Sequence, residues 1–211
     1  MRLKTAIITG ALAIAVAPAA TALGQAPMQT PPQAGVTKTQ AMIAFAESVT
    51  LACLTSRAQG GQIADLPKPI LDHFQPAAAI DRKWSRAKTP DTPVWTTPVM
   101  GGLVTITEIS PDRCEVTGMQ LPVEDSFHMV INGAQAGYPD FKSVPIKPGY
   151  NPVVYQLERV QDGVRYTIHL EGSEPGGLGN PGRMLMGHAF RFSLLTAVVV
   201  RQPEAAKPVF R

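Results

Sequence analysis

The segment "VVYQLERVQDGVRYTIHL", residues 153–170, constrains the fold more than any other stretch of this sequence. Asp162-Gly163 separates two runs of alternating apolar and polar residues, and this dipeptide is typical of the type I′ turn of a β-hairpin. The two-residue turn fixes the register, which predicts the pairs Leu157–Ile168 and Tyr155–Leu170 on an apolar face and Gln156–His169 and Glu158–Thr167 on a polar face. The hairpin therefore predicts an antiparallel sheet with one face against a core.

Periodic patterns elsewhere predict the elements that accompany this hairpin. They are helices over about residues 37–61, 66–80 and 122–137, and strands over about 102–110, 114–119 and 188–200. The last strand places Phe190, Phe192, Leu194 and Val198 on one face. Helices at the N-terminus and in the middle, combined with consecutive strands, are typical of the α+β class. We expect N-terminal helices and one middle helix packed on an antiparallel sheet of about five strands.

The two long helices carry start and stop signals as well as apolar stripes. Thr37 and Gln40 have the spacing of a capping box, and Gly60-Gly61 supplies a stop. In the later helix Pro122 suits the first helical position. The predicted buried stripes are Met42, Phe45, Ala46, Val49 and Cys53 in the first helix, and Val123, Phe127, Val130, Ile131 and Ala134 in the later one.

The chain has two cysteines, Cys53 on the first helix and Cys114 at the start of a strand. Cys114 shares a strand face with Val116, so both thiols point towards a core. The pattern favours a disulfide, which is the usual state of an even cysteine count in an exported protein. Two alternatives stay open: buried free thiols acting as small hydrophobic residues, and a reactive or metal-binding thiol. Neither a CxxC motif nor a histidine pair at i, i+4 supports a metal site.

The first 26 residues follow the pattern of a secretory signal peptide. Arg2 and Lys4 precede an apolar run that is too short to span a bilayer, and Ala20-Thr21-Ala22 fits a cleavage site. Gly24-Gln25-Ala26 is a second candidate. We expect a flexible lead-in over 27–36, one α+β domain over 37–202, a flexible tail over 203–211, no stable membrane span after cleavage, and a periplasmic or secreted location.

Removal of the leader alters the charge balance. The whole chain has 19 Lys and Arg against 16 Asp and Glu, so loss of Arg2 and Lys4 leaves 17 against 16, a net charge of +1. A nucleic-acid-binding domain would be expected to show a clear basic excess. We therefore expect no nucleic acid among the partners.

Several groups of residues are candidates for catalysis or ligand binding. Asp125, Ser126 and His128 lie close in sequence, but helical geometry separates Ser126 from the other two, so we interpret the acid as a helix-start charge. The glycine-rich stretch 173–188 contains Arg183 and His188 and lacks a phosphate-loop pattern, so it is interpreted as a long connection that suits ligand or partner binding. Trp84 and Trp95 could stack on a sugar or a peptide, or cover the edge of a core. No catalytic residue, metal ligand or cofactor is predicted.

The layout resembles that of small, uncharacterised exported bacterial proteins. They too combine a signal peptide with an N-terminal helix bearing "LACL", here residues 51–54, followed by a "W…V…C.V" strand region. The resemblance covers about residues 40–170. It implies no active site, so no functional residue is transferred from it.

The function expected from these patterns is a non-enzymatic binding or interaction domain of the cell envelope, with a small ligand or an envelope protein as its partner. The predicted ligand or partner surface comprises Gln156, Glu158, Arg165, His169, Arg183 and His188. The alternative is an envelope hydrolase whose catalytic groups converge only in the fold, for which a histidine within hydrogen-bond reach of a carboxylate would be the sign. A structural subunit, marked by a large exposed apolar patch, is a third hypothesis.

Overall fold

The predicted hairpin forms with the register that the sequence indicates. The computed structural model describes residues 37–97, 104–145, 153–173 and 193–204. Strands β6 (Val153–Gln161) and β7 (Val164–Ser173) are joined by Asp162 and Gly163, both at positive φ, as a type I′ turn requires. All four predicted cross-strand pairs are present. The turn residues therefore fix which side chains share a face.

The hairpin belongs to a fully antiparallel sheet of eight strands. The strand order is β1-β2-β3-β4-β8-β7-β6-β5, so the last strand in sequence lies between β4 and β7. The remaining bounds are β1 Gln75–Pro76, β2 Val94–Thr96, β3 Val104–Ser110, β4 Arg113–Met119, β5 Lys142–Ser143 and β8 Leu194–Pro203. The α+β class is confirmed at this level, whereas the expected number of about five strands is wrong. The three additional strands, β1, β2 and β5, have only two or three residues each, too few to show an alternating pattern.

The first predicted helix is continuous but not uniformly α-helical. It consists of α1 (Lys38–Glu47), a π-helical stretch (Ser48–Leu54) and α2 (Thr55–Ala58). The predicted capping box forms between Thr37 and Gln40, and Gly60 adopts the positive φ expected after the helix end. Within the π-helical stretch, the hydroxyls of Ser48 and Thr50 donate hydrogen bonds to carbonyls four residues earlier. Hydroxyl groups that compete for backbone carbonyls in this way favour local departures from α-helical geometry.

The second predicted helix, over 66–80, is wrong. A 3₁₀ turn (Ile63–Asp65) precedes this region. The region itself forms α3 (Lys68–Leu71), strand β1 and α4 (Ala79–Arg82). Pro69 fits the first turn of α3, whereas Pro76 cannot continue a helix, so the predicted helix is reduced to separate single turns. The apolar residues Ile70, Leu71 and Phe74 nevertheless pack on the core.

Helix α5 (Val123–Gly137) and the first helix cover one face of the sheet, here called the proximal face. Pro122 caps α5 rather than occupying its first turn, and the predicted stripe of α5 is buried except for the partly buried Ile131. Two strand glycines allow this close approach. A Cβ at Gly118 would lie 2.8 Å from the Phe45 ring, and one at Gly172 would overlap the Val123 side chain. Any side chain at either position would push a helix away from the sheet.

A disulfide joins Cys53 of the π-helical stretch to Cys114 of β4, with the Cα atoms 5.6 Å apart. Both cysteines are completely buried among the core residues. The disulfide prediction is confirmed. The bond ties the first helix to the proximal face at the point where β4 begins.

A second attachment of the first helix is a buried ion pair that the sequence patterns did not reveal. Arg57 donates to Glu108 Oε1 at 2.8 Å and to the carbonyl oxygen of Pro111 at 2.8 Å. Glu108 also accepts from the backbone N–H of Ile63 at 3.0 Å and from the indole of Trp95 at 3.0 Å. The side chains of Arg57 and Glu108 are 1% and 5% exposed. This network connects the helix end, β2 and β3.

Three of the predicted segments fall outside the described residues: the leader over 1–26, the lead-in over 27–36 and most of the glycine-rich stretch with Arg183 and His188. Most of the tail does so as well, although β8 continues to Pro203. Among the described residues, no helix has the length and apolar character needed to cross a membrane.

Candidate functional site

The face of the sheet opposite the helices, here called the distal face, carries most of the predicted site residues. Residues on adjacent strands that lie directly opposite each other share a face. One such row crosses the sheet through Gln156, His169, Val198, Glu115, Thr107 and Val94. The next row contains Val154, Glu171, Thr196, Thr117, Thr105 and Thr96. The distal face is therefore predominantly polar across six strands.

The four predicted binding residues on the hairpin lie together on this face. Gln156 and His169 are direct cross-strand partners, and all four side chains are partly exposed. Arg165 donates to Glu158 Oε2 at 2.8 Å, while Gln156 donates to Glu158 Oε1 at 2.7 Å. Arg165 also lies 3.7 Å from the carboxylate of Glu204. These contacts hold three of the four side chains in fixed orientations without removing them from solvent.

The part of the distal face formed by β2, β3, β4 and β8 is polar and largely buried, which the alternation pattern did not predict. The buried members are Thr96, Thr105, Thr107, Glu115, Thr117 and Thr196. Part of this burial comes from the segment between β1 and β2, because Arg86 Nε lies 3.0 Å from Glu115 Oε1. Within the described part of the chain, Thr105 Oγ1 has no hydrogen-bond partner. A buried hydroxyl without a partner is unfavourable by about 1–3 kcal/mol, so such groups suit contact with a ligand.

A second buried cation, Arg159 of β6, belongs to the proximal side. Its guanidinium lies 4.4 Å from the ring centre of Tyr138 and 5.5 Å from that of Tyr166, with Asp140 Oδ2 3.3 Å from Nε. Aromatic rings arranged in this way bind cationic groups. Here the chain's own arginine fills that position, so the cluster anchors β6 to the end of α5 and is not counted as a ligand site.

The residues weighed for catalysis are not brought together. The hydroxyl of Ser126 is buried and donates to the carbonyl oxygen of Pro122, whereas Asp125 and His128 are exposed. His73 Nδ1 lies 3.6 Å from Glu47 Oε2 on an exposed part of the surface. In the described ranges, no group of three histidine, cysteine or acidic side chains is placed to hold a metal ion. The geometry of these residues therefore supports no specific reaction.

The comparisons with known proteins add no family. No protein-family model matches the chain, and neither the curated proteins nor the solved structures give a significant match. The site must accordingly be interpreted from its own chemistry.

Proposed function

We propose that this protein is an exported, non-enzymatic binding domain that uses the distal face of its sheet. The supporting observation is that α5 and the first helix pack on the proximal face, while the distal face carries polar side chains in register across six strands and stays partly exposed on the hairpin. A polar sheet face that is partly exposed and internally hydrogen-bonded offers donors and acceptors in preset positions, which lowers the entropic cost of binding.

The exposed part of this surface has mixed chemistry. Glu158 and Arg165 present opposite charges, Gln156 and His169 present neutral polar groups, and Val198 lies beside His169. This combination suits a partner with both polar and apolar groups, such as a protein surface or a small organic ligand of the cell envelope.

Export is the other half of the proposal. Disulfides persist in oxidising compartments, and the Cys53–Cys114 bond is consistent with such a location.

We expect the protein recovered from the exported fraction to begin at Leu23 or Pro27, after one of the two predicted cleavage sites, because those sites follow the small-residue pattern of signal cleavage. N-terminal sequencing checks this result. Recovery from the cytosol with Met1 and the leader intact contradicts it.

The binding surface is tested by placing a photo-crosslinking amino acid at Gln156 or Thr167, both on the distal face. The matched control position is Ala136, an exposed residue of α5. We expect a discrete crosslinked product from the first two positions and none from the third. Arg165→Glu, which puts a third carboxylate beside Glu158 and Glu204, should lower the yield by about tenfold, as removal of a central interface group does.

The thermal midpoint of Arg165→Glu, measured in parallel, separates loss of binding from loss of folding. Equal yields from all three positions, or a yield unchanged by Arg165→Glu, contradict the assignment of the distal face.

A further inference from the structure

The segment between β1 and β2 presents two large apolar side chains to solvent. Ile80 is 66% exposed and Trp84 is 48% exposed. The backbone N–H of Trp84 donates to the carbonyl oxygen of Asp81 at 3.0 Å, so the helical turn of α4 continues through this residue. Ile80 and Trp84 therefore belong to one short helical segment, and both expose their side chains to solvent. Among the described residues only Ile43 and Val160 are comparable exposed apolar side chains.

This segment is held in a fixed shape. The guanidinium of Arg82 donates to the carbonyl oxygens of Pro90 and Thr92, at 2.7 and 2.9 Å. Arg86 ties the same segment to the sheet through the carboxylate of Glu115, 3.0 Å away. An exposed apolar pair on a braced segment loses little conformational freedom when it is covered, so it is preorganised for binding.

The flanking residues give the segment a positive charge. Residues 77–93, which separate β1 from β2, contain four basic residues against Asp81 and Asp91, a net charge of 4 − 2 = +2. Two of these cations, Arg82 and Arg86, are engaged within the chain as described. The other two, Lys83 and Lys88, are exposed, and Lys83 directly precedes Trp84 in the chain. The local charge contrasts with the near-neutral domain as a whole.

We propose that this segment is a docking surface for an anionic lipid bilayer. Ile80 and Trp84 enter the interface between headgroups and acyl chains, where the amphipathic indole ring is favoured. Lys83 and Lys88 keep their ammonium groups at the level of the phosphates while their stems lie along the apolar region. The charge complementarity selects an anionic membrane over a neutral one. The proposal uses residues other than the exposed part of the distal face, so the two assignments can fail separately.

The test uses the full mature chain and vesicles of neutral phosphatidylcholine, with or without about 30 mol % phosphatidylglycerol as the anionic component. We expect co-sedimentation with the anionic vesicles and little with the neutral ones. Trp84→Ala should weaken the binding by about tenfold, because it removes the larger part of the buried apolar surface. Lys83→Glu combined with Lys88→Glu should weaken it by about tenfold or more through charge reversal.

Three controls distinguish docking from non-specific attraction. Ile43→Ala removes an exposed apolar side chain on α1 and should leave vesicle binding unchanged. Arg82→Lys keeps the charge, but its shorter side chain does not reproduce the position of the Nη2 group that bonds both carbonyls, so an intermediate loss is expected. Lipids brominated on the acyl chains should quench the fluorescence of the unaltered protein and should quench Trp84→Phe much less, since the second tryptophan, Trp95, is bonded to buried Glu108.

Equal binding to neutral vesicles, or anionic binding unchanged by Trp84→Ala, overturns the proposal. A loss of protein crosslinking in Trp84→Ala, with no vesicle binding by the unaltered chain, would assign the segment to a protein partner instead. Because Trp84 and Ile80 are exposed, the thermal midpoints of their variants should match that of the unaltered protein.

Discussion

Reduction of the Cys53–Cys114 disulfide should lower the free energy of unfolding by about 4 kcal/mol. The bond joins residues 61 positions apart, so it removes many extended conformations from the unfolded chain. Domains of ordinary size are stable by only about 5–15 kcal/mol, and the loss is therefore a large part of the total. The reduced protein should still fold, because both thiols would remain as small apolar groups in a continuous core.

Urea unfolding of the oxidised protein and of the protein kept in reductant measures this loss. The free energy of unfolding of the reduced protein should also fall more steeply with urea concentration, since its unfolded chain exposes more surface. The double variant Cys53→Ala and Cys114→Ala should lose somewhat more than reduction alone, because the space of two sulfur atoms is left unfilled. An unchanged midpoint after reduction would contradict the stabilising role. Mass spectrometry that finds both sulfurs alkylated in the native exported protein would contradict the bond.

The second large effect is expected from Arg57→Met, which should destabilise the fold by about 3–5 kcal/mol. The substitution keeps the side-chain length but leaves the Glu108 carboxylate buried without its cation. It also leaves the Pro111 carbonyl without this donor. Glu108→Gln leaves Arg57 charged and places an amide where the carboxylate accepts from Trp95 and Ile63, so it should also be strongly destabilising. Urea unfolding of both single variants and of the double variant gives the coupling energy.

The pair Lys68 and Asp72 provides the matched control for this experiment. Its atoms are 2.6 Å apart, but the two side chains are 83% and 59% exposed. Surface ion pairs contribute about 0–1 kcal/mol, so Lys68→Met should cost far less than Arg57→Met. If the two methionine variants unfold at the same urea concentration, the buried network does not hold the helix end to the sheet.

The parts of the fold that were predictable depend on neighbouring residues in sequence. Asp162-Gly163 determines the hairpin register because a two-residue turn leaves only one pairing. The capping box of Thr37 and Gln40 and the stripe of α5 are likewise local. The disulfide is a long-range contact, and it was predicted from the even cysteine count of an exported chain, with support from the core-facing positions of Cys53 and Cys114 on their elements.

The parts of the fold that the sequence patterns did not predict depend on tertiary contacts. Strands β1, β2 and β5 exist because longer neighbours provide backbone partners for two or three residues each. Arg57 reads in sequence as an ordinary basic residue near a helix end, and its partner Glu108 comes 51 positions later. Strand β8 is apolar on both faces, so parity alone could not show that Leu195, Ala197 and Val199 face the core.

The candidate site was predictable to a similar extent. Alternation around the hairpin placed Gln156, Glu158, Arg165 and His169 on one face, and they share it in the structure. Thr105, Thr107 and Glu115 lie on the same distal face, where polar side chains are ordinarily solvated. These residues are buried, partly because a connecting segment with no periodic pattern of its own lies over them.

The position of β8 at the middle of the sheet bears on when the sheet can be completed during synthesis. It pairs with β4 on one side and with β7 on the other, so within the described ranges the two halves of the sheet are joined through residues 194–203. A ribosome that has released only the earlier strands holds a chain whose halves cannot yet be joined. The complete sheet must then wait for the synthesis of β8, since non-local pairings form late. Such a delay would suit the export proposed above, because a narrow translocation channel passes only an unfolded chain.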